Sequence, residues 1–291
     1  MSSIFVFPGQ GAQVVGMGYE LYKTNAAARA VFDEVDDALS QKLSDIIFNG
    51  PMEELTLTAN VQPAIMATSI AMLRASGATV PEYVAGHSLG EYTALCAAGA
   101  ISLRDTAKLL RTRGDAMQTA VPVGHGLVAV VLGLDIETVR EICAKTDCDV
   151  ANDNCPNQVV ISGAKEVVED TLEKLKAAGA KRAMPLALSA PVHCRMQAPA
   201  AEKMRAALEN VEISAPKALF ISNKTADVIT DPSEIKEELI YQITHGVRWR
   251  ESVIKMHELG ITEMIEIGPG NVLTGLCGRI CPEINAKKLE I

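Results

Sequence analysis

The sequence predicts an α/β protein in two parts: a larger α/β domain over residues 1–122 and 191–291, and a small ferredoxin-like domain over residues 123–190. Three observations predict it. Strand and helix patterns alternate from the N-terminus, the arrangement that lays helices over a mostly parallel sheet. The pentapeptide Gly86-His87-Ser88-Leu89-Gly90 lies between an apolar strand and a helix. The middle segment reads β-α-β-β-α-β between Pro122 and Pro191, the ferredoxin-like order. A chain of 291 residues has room for about two domains.

In order, Ser3–Phe7 is a short apolar strand, followed by a glycine-rich loop and a helix over Gly18–Ser40. Pro63–Ser76 reads as a helix with proline in its first turn. Tyr83–Ala85 is a very short strand, Leu89–Ala98 a helix capped by Gly99, and Leu103–Ala120 another helix. Within the insert come strand Leu127–Leu134, helix Ile136–Lys145, strands Cys148–Asn152 and Gln158–Ser162, helix Glu166–Ala178 and strand Lys181–Leu188. The larger domain resumes with helix Cys194–Asn210 and strand Ala218–Ile221. Helices near Glu234–Thr244 and Glu251–Leu259 follow, then strand Glu263–Ile267.

Composition removes several function classes. With 48% hydrophobic and 22% charged residues the chain can bury a core, which argues against disorder. A net charge of −9 without a basic tract argues against nucleic-acid binding. No apolar stretch approaches the ~20 residues of a spanning helix, and no secretory signal is evident, so no membrane association and a cytoplasmic location are expected. Seven scattered cysteines without a C-x-x-C pair read as reduced thiols. H-E-x-x-H and zinc-type spacings are missing, so no metal is expected.

The pentapeptide matches G-x-S-x-G in the strand-turn-helix setting that the motif needs, so the large domain reads as α/β-hydrolase-like. Ser88 is then presented at a helix N-terminus, where free N–H groups favour a developing anion. A serine hydroxyl needs a base. Of the five histidines, His87 is pinned in the turn and reads as structural, His125 sits between glycines, and His257 lies in an amphipathic helix. His193 follows a strand in a loop, where catalytic groups collect in α/β folds, and spacing makes it a modest favourite over His245. The Phe7–Gln13 loop fails as a dinucleotide or P-loop motif. It suits a second oxyanion donor, Gln10, beside Leu89. On a helical wheel for Leu103–Ala120, Arg104, Lys108 and Arg111 share a polar arc, whereas Arg113 falls among Leu109, Leu110, Gly114 and Met117. A buried arginine needs an anionic partner, either a structural carboxylate or a substrate's.

Several segments in the same order give the chain a resemblance. FPGQGAQ at Phe7–Gln13, VQPA at Val61–Ala64, GHSLGEY at Gly86–Tyr92, NQVVISG at Asn157–Gly163, APVHC at Ala190–Cys194 and EIGPGNVLTGL at Glu266–Leu276 resemble the malonyl-CoA:acyl carrier protein transacylases nearly end to end. The resemblance implies Ser88 as nucleophile, His193 as base, Gln10 and Leu89 as oxyanion-hole amides, and Arg113 as the malonyl carboxylate's partner. Gln62 and Met117 fall at matching pocket positions. It further implies that a backbone carbonyl orients the histidine, here that of Arg248 in Val247-Arg248-Trp249, and that no carboxylate completes a triad. The implied substrates are malonyl-CoA, a coenzyme A thioester, and holo acyl carrier protein. No bound cofactor and a monomer are expected. Val192 stands where relatives carry serine or phenylalanine, which leaves malonyl against methylmalonyl open; Asn271 stands where some carry lysine. Lys181, Arg182, Arg195, Arg248 and Arg250 are candidates for docking an acidic carrier. The rival readings are a serine thioesterase or esterase, a trans-acting acyltransferase of a polyketide or malonate decarboxylase pathway, and a non-catalytic module on the same scaffold.

Overall fold

Strands from both ends of the chain meet in one sheet of the computed structural model, which describes residues 2–291. Ten strands are present among these residues: β1 (Ser2–Phe7), β2 (Tyr83–Gly86), β3 (Gly126–Leu132), β4 (Asp149–Cys155), β5 (Gln158–Ala164), β6 (Arg182–Pro185), β7 (Leu219–Ile221), β8 (Val228–Ile229), β9 (Ile261–Glu266) and β10 (Asn285–Lys288). The six-stranded sheet has the order β10-β9-β1-β2-β7-β8. Its pairs are parallel except β7 with β8. β1 sits centrally and alternates its side chains: Phe5 and Phe7 join one apolar cluster, Ile4 and Val6 the other. A strand buried on both faces must be apolar at every position, which is why Ile4–Phe7 carries no polar residue.

The second sheet has the order β4-β5-β3-β6, with every pair antiparallel. Helices Ile136–Thr146 and Lys165–Ala177 cover one face, packing Val139, Cys143, Val168 and Leu172 onto Val131 and Ile161. The opposite face presents Val128 and Val160 to Leu188 and Val192. The antiparallel sheet is tied to the connection between helices Pro232–Thr244 and Trp249–Glu258. Val247 N–H donates to the Ala151 carbonyl and Asp153 N–H to the Val247 carbonyl, both at 2.9 Å, which makes an isolated parallel bridge. Beside it the buried Asp153 carboxylate meets Arg250 at 2.8 Å. A Cβ on Gly246 would lie 2.4 Å from the Val150 carbonyl oxygen, so only glycine lets this connection approach β4.

Several elements differ from expectation. The helix expected over Gly18–Ser40 is two, Tyr19–Thr24 and Ala26–Leu39, because Asn25 turns extended and accepts from the N–H groups of Ala27 and Ala28 as an N-cap. The helix expected from Pro63 begins at Thr58, so Pro63 lies inside it and leaves the Ala59 carbonyl without its i+4 donor. The strand expected over Lys181–Leu188 ends at Pro185. Leu186–Leu188 turn into the cavity described below. Helices Leu43–Asn49, Met52–Thr56 and Val272–Ile280, with strands β8 and β10, are additional. No helix among the described residues is long and apolar enough to cross a membrane.

Candidate active site

Ser88 sits at the turn between β2 and helix Gly90–Ala97 with φ 55°, the left-handed region that costs a non-glycine residue about 1–3 kcal/mol. The turn is tight on both sides: a Cβ on Gly86 would fall 1.9 Å from the Gly90 carbonyl carbon, and one on Gly90 would fall 2.2 Å from the Phe7 oxygen. Asn223, at the end of β7, holds it. Its Oδ1 accepts from Ser88 N–H at 2.8 Å, and its Nδ2 donates to the Gly86 carbonyl at 2.7 Å.

His193 lies in the loop after β6, also at positive φ (51°), and is buried. Its Nε2 is 2.7 Å from Ser88 Oγ, and its Nδ1–H donates to a backbone carbonyl at 2.5 Å. That carbonyl belongs to Gln242, not to Arg248 as expected. Arg248 caps helix Trp249–Glu258, and its oxygen is taken by the N–H and Oγ of Ser252. Gln242 lies in the last turn of helix Pro232–Thr244, where carbonyls have no helical donor and are free for a side chain. No carboxylate touches His193 among the described residues. Burial, and then the charge of Arg113, lower its pKa to about 3, so the imidazole is neutral at neutral pH with Nε2 open to the serine proton.

Arg113 is 1% exposed. Its Nη1 donates to Gln62 Oε1 at 2.6 Å, and its Nη2 to Gln242 Oε1 at 2.7 Å and to Ser88 Oγ at 3.2 Å. Tyr92 lies beneath, its ring centroid 5.8 Å from the guanidinium carbon. Every acceptor is neutral, and Nε has none. No Asp or Glu lies within ion-pair distance among the described residues. The charge is therefore buried without a counter-charge, and desolvation lowers its pKa. Gly114 makes this placement possible: a Cβ there would be 2.5 Å from both the Ala59 Cα and the Thr58 carbonyl oxygen. Gln62 is buried behind Arg113 and bonds Met117 Sδ at 3.7 Å; it positions the guanidinium and does not line the cavity, whereas Met117 does.

A cavity of about 310 Å³ opens over Ser88, His193 and Arg113. Val160, Leu186, Leu188, Val192 and Leu273 form apolar walls. Gln10 and Leu89 both border it, and neither of their backbone N–H groups has an acceptor among the described residues. His87 is half-buried at the rim, its Nε2 2.9 Å from Asn154 Oδ1. His245 stands elsewhere, stacked on Tyr241. Of the five cations proposed for carrier docking, Arg195 pairs with Asp147 and Asp149, Arg248 with Glu251 and Arg250 with Asp153. Only Lys181 and Arg182 keep an exposed charge without an ion pair among the described residues. No group of three His, Cys, Asp or Glu suited to a metal occurs among them.

Sequence reasoning missed Gln242, Asn223 and Glu91. Glu91 is fully buried, and burial, with Glu238 beside it, pushes its carboxyl well above the usual range. Only the position of Asn223 at the carboxyl end of a parallel strand offered a signal.

The acyl transferase domain profile matches residues 4–281. The chain belongs to the acyl transferase family. It is 48% identical over 289 residues to a malonyl CoA-acyl carrier protein transacylase of Bacillus subtilis, covering 96% of this chain and 91% of the relative. An acyl-carrier-protein S-malonyltransferase structure from Bartonella henselae superposes with a TM-score of 0.97 at 49% identity, over 100% of this chain and 96% of that one. A malonyl-transacylase solved with its holo type II PKS acyl-carrier protein gives 0.96 at 40% identity, over 99% and 96%. As a member of the acyl transferase family, the protein is an acyltransferase of α/β fold.

Proposed function

We propose that this acyltransferase moves a malonyl group from malonyl-CoA to the phosphopantetheine thiol of holo acyl carrier protein in fatty acid synthesis, through a malonyl-Ser88 intermediate. One observation carries the reading: a buried arginine without a counter-charge sits 3.2 Å from the serine of a Ser–His pair. A substrate carboxylate supplies what Arg113 lacks, and a guanidinium binds it in bidentate fashion.

The chemistry follows from the distances. His193 Nε2 takes the Ser88 proton as Oγ attacks the thioester carbonyl. The N–H groups of Gln10 and Leu89 receive the oxyanion, each such donor being worth about 2.7–4 kcal/mol of barrier. The proton on Nε2 passes to the leaving coenzyme A thiolate. In the second half, His193 takes the proton of the carrier thiol as its sulfur attacks the malonyl ester, and Nε2 then hands that proton to the departing Ser88 oxygen. Gln242's carbonyl keeps Nδ1 protonated throughout, so one tautomer serves both halves. A hydrolase would use water as acceptor and orient its histidine with a carboxylate; Nδ1 on a carbonyl and the arginine favour transfer.

The same reading treats residues 123–190 as a separate domain inserted between 1–122 and 191–291, and the protein as a cytoplasmic monomer with no resident cofactor. Lys181 and Arg182 remain as docking cations for the carrier. The test is intact-protein mass spectrometry after malonyl-CoA, with Ser88→Ala alongside and holo carrier added second. A malonyl increment absent from Ser88→Ala and discharged onto the carrier supports the reading. Free malonate alone would replace it with a hydrolase.

A further inference from the structure

Arg113 and Ser88 are each held by an amide side chain, Gln242 and Asn223, and one residue bonds both: it meets the Gln242 amide itself and the main-chain N–H of Asn223. Glu91 lies in the first turn of helix Gly90–Ala97, which follows Ser88. Its Oε1 accepts from Asn223 N–H at 2.6 Å, and its Oε2 accepts a short bond from Gln242 Nε2. No cation pairs with it among the described residues. An amide can be turned end for end at almost no steric cost, so the shape of the cavity does not decide which end of Gln242 faces Arg113. The partners on the far side favour one sense: Glu91 accepts the shorter bond from Nε2, the Ser88 carbonyl a longer one at 3.3 Å, and together they leave Oε1 for the guanidinium.

We propose that Glu91 is a positioning residue for acyl-group selection, fixing the Gln242 amide with its oxygen toward Arg113 and so holding the guanidinium, its charge unneutralised, for the carboxylate of the incoming acyl group. The inference rests on the malonyl-transfer reading above. A carboxylate in place of Gln242 would hold Arg113 more tightly but cancel its charge. A neutral amide backed by Glu91 holds it without doing so. Glu91 acts at one remove and touches no substrate.

Glu91→Gln tests it. The new amide offers one acceptor where two donors need one, so Gln242 is released to turn its NH2 toward Arg113 and push the guanidinium away. The KM for malonyl-CoA is expected to rise at least tenfold. The ratio of malonyl to acetyl acylation of Ser88 is expected to fall at least tenfold. Any damage passed through Asn223 slows both acyl groups alike and cancels in that ratio, as does loss of folded protein. Gln242→Met provides a second arm, because it removes the amide and keeps the backbone carbonyl that His193 uses. It should give the same fall, and adding Glu91→Gln to it should change the ratio less than twofold. A wild-type ratio in Gln242→Met overturns the proposal even where Glu91→Gln fails to fold. A wild-type ratio in folded Glu91→Gln, or effects that multiply in the double variant, also overturns it. Failure of the wild-type enzyme to form malonyl-Ser88 would instead strike the malonyl-transfer reading itself.

Discussion

Replacing Arg113 with methionine keeps much of the buried volume and removes the charge. In the free enzyme the guanidinium has three neutral acceptors and no counter-charge, so its desolvation is uncompensated. On the proposed reading, it becomes half of a buried ion pair when malonyl-CoA binds. Removing one partner of such a pair costs about 3–5 kcal/mol, which at about 1.4 kcal/mol per tenfold is roughly 10²- to 5×10³-fold. That loss should appear in kcat/KM for malonyl-CoA, while acetyl-CoA, which has no carboxylate, should change less than about tenfold by the same reasoning. Loss of the unpaired buried charge is offset by the Gln62 and Gln242 oxygens left without a donor, so thermal stability should change little. A second signature follows from His193: Arg113's charge is one cause of its low pKa, so the variant's histidine titrates higher. The acid limb of acetyl transfer should therefore move to higher pH. Steady-state rates with both thioesters across pH decide the matter. An unchanged malonyl preference would refute the role of Arg113, and an unmoved acid limb would refute the coupling to His193.

Three further outcomes are expected. His193 and His87 are both lowered by burial, so the unfolded chain takes up protons near pH 6.5 while the folded protein does not; the melting temperature should fall as pH drops below 6.5, and His193→Gln should blunt that fall. Gly114→Ala forces backbone apart at Ala59 and should cost about 1–3 kcal/mol in denaturant unfolding while raising the malonyl-CoA KM through Arg113. Reversing Lys181 and Arg182 together to glutamate should raise the KM for the carrier protein and leave that for malonyl-CoA alone; an unchanged carrier KM removes them from the docking surface.

What was legible in the sequence was what leaves a pattern. Ser88 carries a motif whose glycines are demanded by contacts near 2 Å. Arg113 shows as a charge on the wrong side of a helix, because burial imposes the 3.6-residue period on every position of that face. Gln242 leaves no pattern: it acts through a main-chain oxygen and an amide, in a helix whose other residues already explain its presence. The carbonyl assigned to Arg248 failed because a motif records side chains, whereas freedom of a carbonyl depends on where a helix begins and ends. The cap at Asn25 was missed, because hydrophobic spacing alone runs straight through the break it makes. β10 carries two lysines in four residues, too polar to register as a strand, because it lies at the sheet edge.

The stitched parallel bridge between Asn152 and Val247 has a consequence for how such a protein can diversify. Ser88, His193, Arg113 and Gln242 all stand on the segments outside 123–190, while Asn152, Gln158, Val160, Leu186 and Leu188 face them from within it. Val192 and Leu273 complete the walls from outside that range, and the two stretches are held together by two main-chain hydrogen bonds, the Asp153–Arg250 pair and the close approach at Gly246. Substitutions at Val160, Leu186 or Leu188 can therefore recut the cavity without touching Ser88, His193 or Arg113.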